Sequence, residues 1–232
     1  MTATEDLFTP IHKGLRSMLY HLSSRLQTND FADATATASL ATDLEHDFAV
    51  ARSAGCVLCV MGKHASDEET QIFSAPSLAS ERLVAELIEE HHALTRRELA
   101  LEKGVHEISG MPSPEERVAA GRRLNAAANE LLVAYLAHMN REETELTPFM
   151  QQHLTDAEML GMQGKIIASL PPDRLFAILG WMLPSLNVTE LSRLLASVRP
   201  NAPPPFFRAV TDLCAARVDP SRWQNVKLRV GL

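Results

Sequence analysis

Apolar residues recur at three- and four-residue intervals along nearly the whole chain, the spacing of helices with one buried face. In the first segment Phe8, Leu15, Leu19, Leu22 and Leu26 form one stripe, and His12 sits inside it. A second helix starts at the N-cap residue Asp33 and runs towards Phe73, loosened at Ser53–Gly55. The third follows SAPSLAS and places Val84, Leu87, Ile88, Leu94 and Leu99 on one face with His91 among them. It ends around Gly104 and the GMPS stretch. The fourth opens on Ser113-Pro114-Glu115-Glu116: a capping serine, proline at the first helical position and a glutamate three residues after the cap. It runs to about Met150, with Pro148 at its frayed end. Its stripe holds Leu131, Ala134, Tyr135, His138, Glu142 and Leu146.

Long helices with short connections predict an all-α fold, an up-down-up-down four-helix bundle over residues 1–152. Residues 153–232 read as a helical C-terminal extension in shorter pieces. Thr155-x-x-Glu158 and Asn187-x-x-Glu190 are capping boxes, Asp219-Pro220 opens the last helix, and PPDR and NAPPPFF interrupt the pattern. The apolar run LFAILGWMLPSL falls short of the roughly 18 residues that span a membrane. It therefore needs cover from the bundle or from a second copy of the chain. These C-terminal helices are a candidate homodimer surface.

Composition adds limits. A chain of 232 residues, 46% hydrophobic and 22% charged, can bury a core without disulfide or metal staples. Only 5% of residues are aromatic, and runs of β-branched residues are scarce, which favours helices over strands. A net charge of -7 speaks against a nucleic-acid partner. The N-terminal stretch lacks a basic segment followed by an apolar run, and three cysteines fall short of a disulfide framework. A cytoplasmic location without a membrane partner is the expectation.

The chemistry lies where the stripes turn polar. KHASDEETQIF, from Lys63, and AHMNREETELTPF, from Ala137, both contain His-x3-Glu-Glu-Thr. Residues four apart share a helix face, so His64 projects with Glu68 and His138 with Glu142. Both pairs fall on the apolar stripes. An ionised glutamate buried there needs a cationic partner or a metal, and no basic residue shares these stripes. His12 and His91, each in a His-x-x-Leu sequence, precede the two pairs. The order His, then His-x3-Glu, thus occurs twice, which predicts two helix hairpins that each bring half of a pseudo-twofold site. The imidazoles of His12, His64, His91 and His138 with the carboxylates of Glu68 and Glu142 suit two borderline divalent ions, the carboxylates bridging. Such ligands accept iron, manganese or zinc.

Over roughly residues 5–152 these motifs, in this order, resemble the hemerythrin-like (HHE cation-binding) family. The resemblance implies a non-haem site for two Fe ions, with His12, His64, His91 and His138 as terminal ligands and Glu68 and Glu142 as bridges. It implies binding or sensing of O2, redox state or iron, with a small diatomic molecule or peroxide as ligand. The alternative it carries is a di-iron enzyme acting on peroxide or nitric oxide, and a metal-free interaction bundle is the third reading. Oxygen carriers of the family have a second histidine one turn after the third-helix ligand, where this chain has Thr95, and usually aspartate where it has Glu142. This departure implies more open metal positions and moves the expectation from reversible oxygen carriage towards sensing, small-molecule chemistry or iron handling.

Neighbouring residues receive simpler roles. His92 points about a quarter-turn from His91 and reads as a surface or outer group, though it is the rival for that ligand position. His21, His46, His106 and His153 lack a partner at helical spacing and read as structural. Glu69 and Glu143 read as solvated or as helix–helix pairs, with an open coordination position as the alternative. Tyr135 reads as a core tyrosine with a bonded hydroxyl, and Met61 as filling space. Cys56-Val-Leu-Cys59 reads as buried apolar cysteines, with a redox pair as the alternative.

Overall fold

A computed structural model describes residues 6–48 and 57–232, less the side chains of residues 45–48 and 57–59. Every regular element among the described residues is a helix, with no strand among them. The elements are α1 (Thr9–Thr28), α2 (Ala34–Phe48), α3 (Val57–Asp67), α4 (Arg82–Ile108), α5 (Pro114–Arg141), α6 (Thr147–His153), α7 (Asp156–Ser169), α8 (Pro172–Ser185), α9 (Val188–Val198), α10 (Pro204–Arg217) and α11 (Pro220–Val230). Two π-helical turns interrupt this series: π1 (Glu68–Ile72) continues α3, and π2 (Glu142–Leu146) joins α5 to α6.

Several boundaries follow the local signals in the chain. Asp33 Oδ1 accepts from the amides of Thr35 and Ala36 and so caps α2. Ser113 and Glu116 exchange side-chain and backbone bonds at the start of α5, as do Thr155 and Glu158 before α7 and Asn187 and Glu190 before α9. Asp219 accepts from the Arg222 amide at the start of α11. Each cap satisfies amides that the first helical turn leaves without a carbonyl partner. Pro148 does not mark a frayed end: it lies in the first turn of α6, and the helical path from α5 runs on past it to His153.

Helix α1 lies against α5 and α8, α4 packs along α5, and α2 crosses α4 and α5. One apolar cluster unites Leu15, Leu22 and Leu26 of α1 with Leu101 of α4 and Leu124 and Leu131 of α5. A second gathers Phe8, Phe73, Leu78, Leu87, Leu146 and Met159. Leu99 departs from expectation. It is 59% exposed, and the α4 face turned inward continues instead through Glu98, Leu101, Val105 and Ile108. Counting in heptads from His91 reaches Glu98, which shows that the face carries a polar residue at its centre.

The C-terminal helices have their own apolar cluster, with Leu183, Leu191, Leu195, Cys214 and Val226 fully enclosed. Helix α8 runs along α1, and the contact is close at Gly14. A Cβ there would stand 3.1 Å from the Met182 backbone, tighter than nearly all side-chain contacts. Lys13 Nζ bonds Glu190 at 2.5 Å, and the hydroxyls of Ser17 and Ser185 meet at 2.8 Å. Among the described residues no single helix is long and apolar enough to cross a membrane.

Candidate metal centre

The two apolar clusters that involve α1 leave a layer between them, and the six expected residues fill it. Along α1, His12 stands between Phe8 of one cluster and Leu15 of the other. Met61 and Ile72 bracket His64 and Glu68; Leu87 and Leu94 bracket His91; Tyr135 and Leu146 bracket His138 and Glu142. Helical periodicity places each polar residue on the inward face, and the neighbouring turns supply an apolar floor and roof. His12, Glu68, His91, His138 and Glu142 are all buried; His64 is partly open, its side chain 15% exposed.

Every imidazole turns Nε2 inward. His12 Nε2 lies 3.1 Å from His64 Nε2, 3.3 Å from Glu142 Oε2 and 3.8 Å from Glu68 Oε1. His64 Nε2 is 2.9 Å from Glu68 Oε1, and His91 Nε2 is 3.2 Å from Glu68 Oε2. His138 Nε2 is 3.3 Å from Glu142 Oε1. Two overlapping sets result, His12–His64–Glu68–Glu142 and Glu68–His91–His138–Glu142, each with one ligand atom per residue inside 4.8 Å. Both glutamates belong to both sets. These buried His/Glu groups can hold metal.

The π turns begin at the two glutamates. The Phe73 amide reaches back five residues to Glu68 O at 2.8 Å, and the Thr147 amide does the same to Glu142 O. The extra residue in each turn is a rare insertion of the kind frequently found at functional sites. Thr70 and Thr144 stand at matching places, each hydroxyl bonding the carbonyl four residues back, on Ser66 and Asn140. The repeat seen in the chain is thus a repeat of backbone geometry as well as of ligand types.

The outer Nδ1 atoms have partners of their own. His12 Nδ1 meets Glu143 Oε1 at 2.9 Å, and His91 Nδ1 meets Glu69 Oε1 at 2.8 Å. The second glutamate of each repeat therefore reaches across to the histidine of the other half. His138 Nδ1 meets Glu90 Oε2 at 2.8 Å. Arg16 holds Glu143 at 2.8 Å, while Arg141 holds Glu90 and also bonds Glu86 at 2.9 Å. A carboxylate on Nδ1 fixes the N–H there and leaves Nε2 as the inward lone pair, the tautomer a metal ligand needs. The pseudo-symmetry breaks at His64. Glu90 precedes His91, whereas Ile11 precedes His12, so the matching carboxylate is missing where the imidazole is most open.

The electrostatics are those of an acidic cage. Burial resists protonation of His12, yet Glu142, Glu143 and Glu68 hold its pKa well above the ordinary imidazole value. Burial also works against charge on His91, and Glu68 and Glu69 overcome it to bring the pKa to about 9. His138 is raised in the same way by Glu142, against burial. Burial resists ionisation of Glu68, but His64, His12 and His91 keep it ionised well below the usual range. Burial and the charge of Glu68 both push Glu142 up, and His12 and His138 bring it down on balance. Glu143 is held at about 2 by His12 and Arg16 despite its burial. The same carboxylate field that attracts protons attracts metal cations.

Some neighbours sit elsewhere. His92 is exposed, 3.7 Å from Glu89, and takes no part in the cluster. Thr95 is exposed too. Cys56 and the Cys59 side chain lie outside the described residues. Four contributors have no assignment from the sequence: Glu90, Glu98, and Arg16 and Arg141 behind the outer glutamates. Glu90 had a visible signal, its place beside His91. Glu98 is buried and accepts a hydrogen bond from the Tyr135 hydroxyl, and burial raises its pKa. Comparison with known families, curated proteins and solved structures finds no match for the chain.

Proposed function

We propose that this chain is a hemerythrin-like protein whose first 152 residues form an up-down-up-down four-helix bundle around a carboxylate-bridged pair of iron ions. In this reading it binds or senses O2, redox state or iron. One observation carries it. All four carboxylate oxygens of Glu68 and Glu142, and Nε2 of His138, are buried without a hydrogen-bond partner. Bare carboxylate oxygens in an apolar interior are costly, and cations are what normally satisfy them. The donor set fits the group: His12 and His64 on one side, His91 and His138 on the other, Glu68 and Glu142 shared. Iron bound there supplies a redox-active Lewis acid that can accept a small ligand such as O2, peroxide or nitric oxide.

The chain's own residues prepare that chemistry. Glu143, Glu69 and Glu90 hold the proton on Nδ1 of His12, His91 and His138 and so aim Nε2 inward. Phe8, Phe73, Leu87 and Leu146 exclude water from one end of the layer. His64 lies at the partly open edge and gives the direction from which a small ligand arrives. Arg16 and Arg141 balance the outer carboxylates without touching the inner ones.

Metal analysis of protein purified under low oxygen tests the proposal, followed by an optical spectrum on exposure to air. About two iron atoms per chain, lost in a Glu68→Gln/Glu142→Gln variant, is the expected result. Protein devoid of transition metal after reconstitution would sink it. Steady-state turnover of peroxide, abolished by Glu142→Ala, would replace the binding or sensing role with the enzymatic one.

A further inference from the structure

A second polar site lies away from the metal centre, on the C-terminal helices. Helix α9 and the last turn of α11 enclose an open cleft of about 760 Å³. Thr189, Ser192, Arg193 and Arg199 line it from α9 and its C-terminal end, and Arg229 closes it from α11. No acidic residue lines this cleft. In a chain of net charge -7, three guanidinium groups gathered without a carboxylate need a reason.

Their surroundings orient them without neutralising them. Arg229 Nη1 donates to the Thr189 hydroxyl at 3.0 Å, and Arg199 Nη1 donates to the Val230 carbonyl at 2.9 Å. The Arg199 guanidinium also lies 5.9 Å from the centre of the Phe207 ring. All of these partners are uncharged. Among the described residues no carboxylate pairs with Arg193, Arg199 or Arg229. Ser192 adds an independent sign: it lines the cleft, is only 8% exposed, and its buried hydroxyl has no hydrogen-bond partner. A buried hydroxyl without a partner is uncommon in folded proteins and calls for an explanation, which a ligand in the adjoining cleft supplies.

We infer that this cleft binds a phosphate-bearing small molecule. The planar forks of arginine match phosphate oxygens with paired, charge-assisted hydrogen bonds, and the Ser192 hydroxyl donates one more. Ala196 and Pro200 supply an apolar wall for the organic part of the ligand. The volume lies in the range of sites for small organic ligands, larger than bare phosphate requires. The site uses none of the metal-binding residues, so its test is independent of the iron reading.

Isothermal titration calorimetry of the full chain as purified with inorganic pyrophosphate, at fixed physiological ionic strength, tests this. Saturable binding is expected. Arg193→Ala and Arg229→Ala should each weaken it roughly tenfold, since each removes a charge-assisted contact. Ser192→Ala should weaken it by a smaller factor, and Arg123→Ala, on distant α5, should leave it unchanged. The arginines are exposed, so their variants should keep the parent's circular dichroism spectrum. Metal stripped by pyrophosphate would register equally in the arginine variants and cannot imitate the site. An absence of saturable binding, or equal binding in the parent and the Arg193→Ala/Arg229→Ala double variant, overturns the inference. A short single-stranded DNA that displaces pyrophosphate at lower concentration overturns the small-molecule class.

Discussion

Withdrawing metal from the loaded chain should cost it a large part of its stability. The perturbation leaves Glu68 and Glu142 together, 1% and 0% exposed, with no well-formed hydrogen bond to any of their four oxygens and only imidazole nitrogens close by. Imidazolium groups compensate in part, as the raised pKa values of His12, His91 and His138 require. Breaking a buried charge pair by removing one partner costs about 3–5 kcal/mol, and metal withdrawal is the same kind of loss. In a chain of this size each kcal/mol moves Tm by about 2–4 °C, so chelation should lower Tm by roughly 6–20 °C. The assay is thermal denaturation followed by circular dichroism, without oxygen, before and after addition of a strong chelator. The Glu68→Gln/Glu142→Gln variant is the control, and its Tm should not respond. An unchanged Tm in the parent, or an equal fall in the control, would refute the reasoning. The six residues would then be a self-sufficient polar core.

Three further predictions follow from single contacts. Glu69→Ala and Glu143→Ala should each weaken metal binding about 10–100-fold by freeing the ring that the lost carboxylate orients, while His92→Ala leaves it unchanged; competition with a chromophoric chelator measures all three. Glu98→Gln should stabilise the protein near neutral pH. Burial raises the Glu98 pKa above its ordinary value near 4.5, so the folded chain keeps a proton that the unfolded chain releases, and stability falls as pH rises through that value. Urea titrations at acidic and neutral pH should show the variant's advantage only at the higher pH, and a pH-independent gap would contradict the assignment. A Cβ on Gly121 would stand 2.2 Å from the Phe31 ring, so Gly121→Ala should destabilise by about 1–3 kcal/mol, read from the denaturant midpoint. An unchanged midpoint would show that the ring can move aside.

The chain by itself determined what depends on neighbours along one helix. The caps at Asp33, Ser113, Thr155, Asn187 and Asp219 involve residues within one turn, and each forms as its motif dictates. The inward placement of His12, His64, Glu68, His91, His138 and Glu142 is equally local, because a period of 3.6 residues puts them on the stripes that must be buried. Only the tertiary structure decided which distant residues meet. That Glu69 serves His91 and Glu143 serves His12 depends on how helices far apart in the chain pack, and no spacing within either repeat encodes it. The π turns at Glu68 and Glu142 escape an i, i+4 reading, because they change the period itself. Glu98 looked like one more polar residue until Tyr135, from another helix, came to lie beside it. Helix α8 against α1 and three arginines around one cleft belong to the same class of fact. Local geometry fixes direction, whereas partners are fixed by packing between segments far apart in the chain.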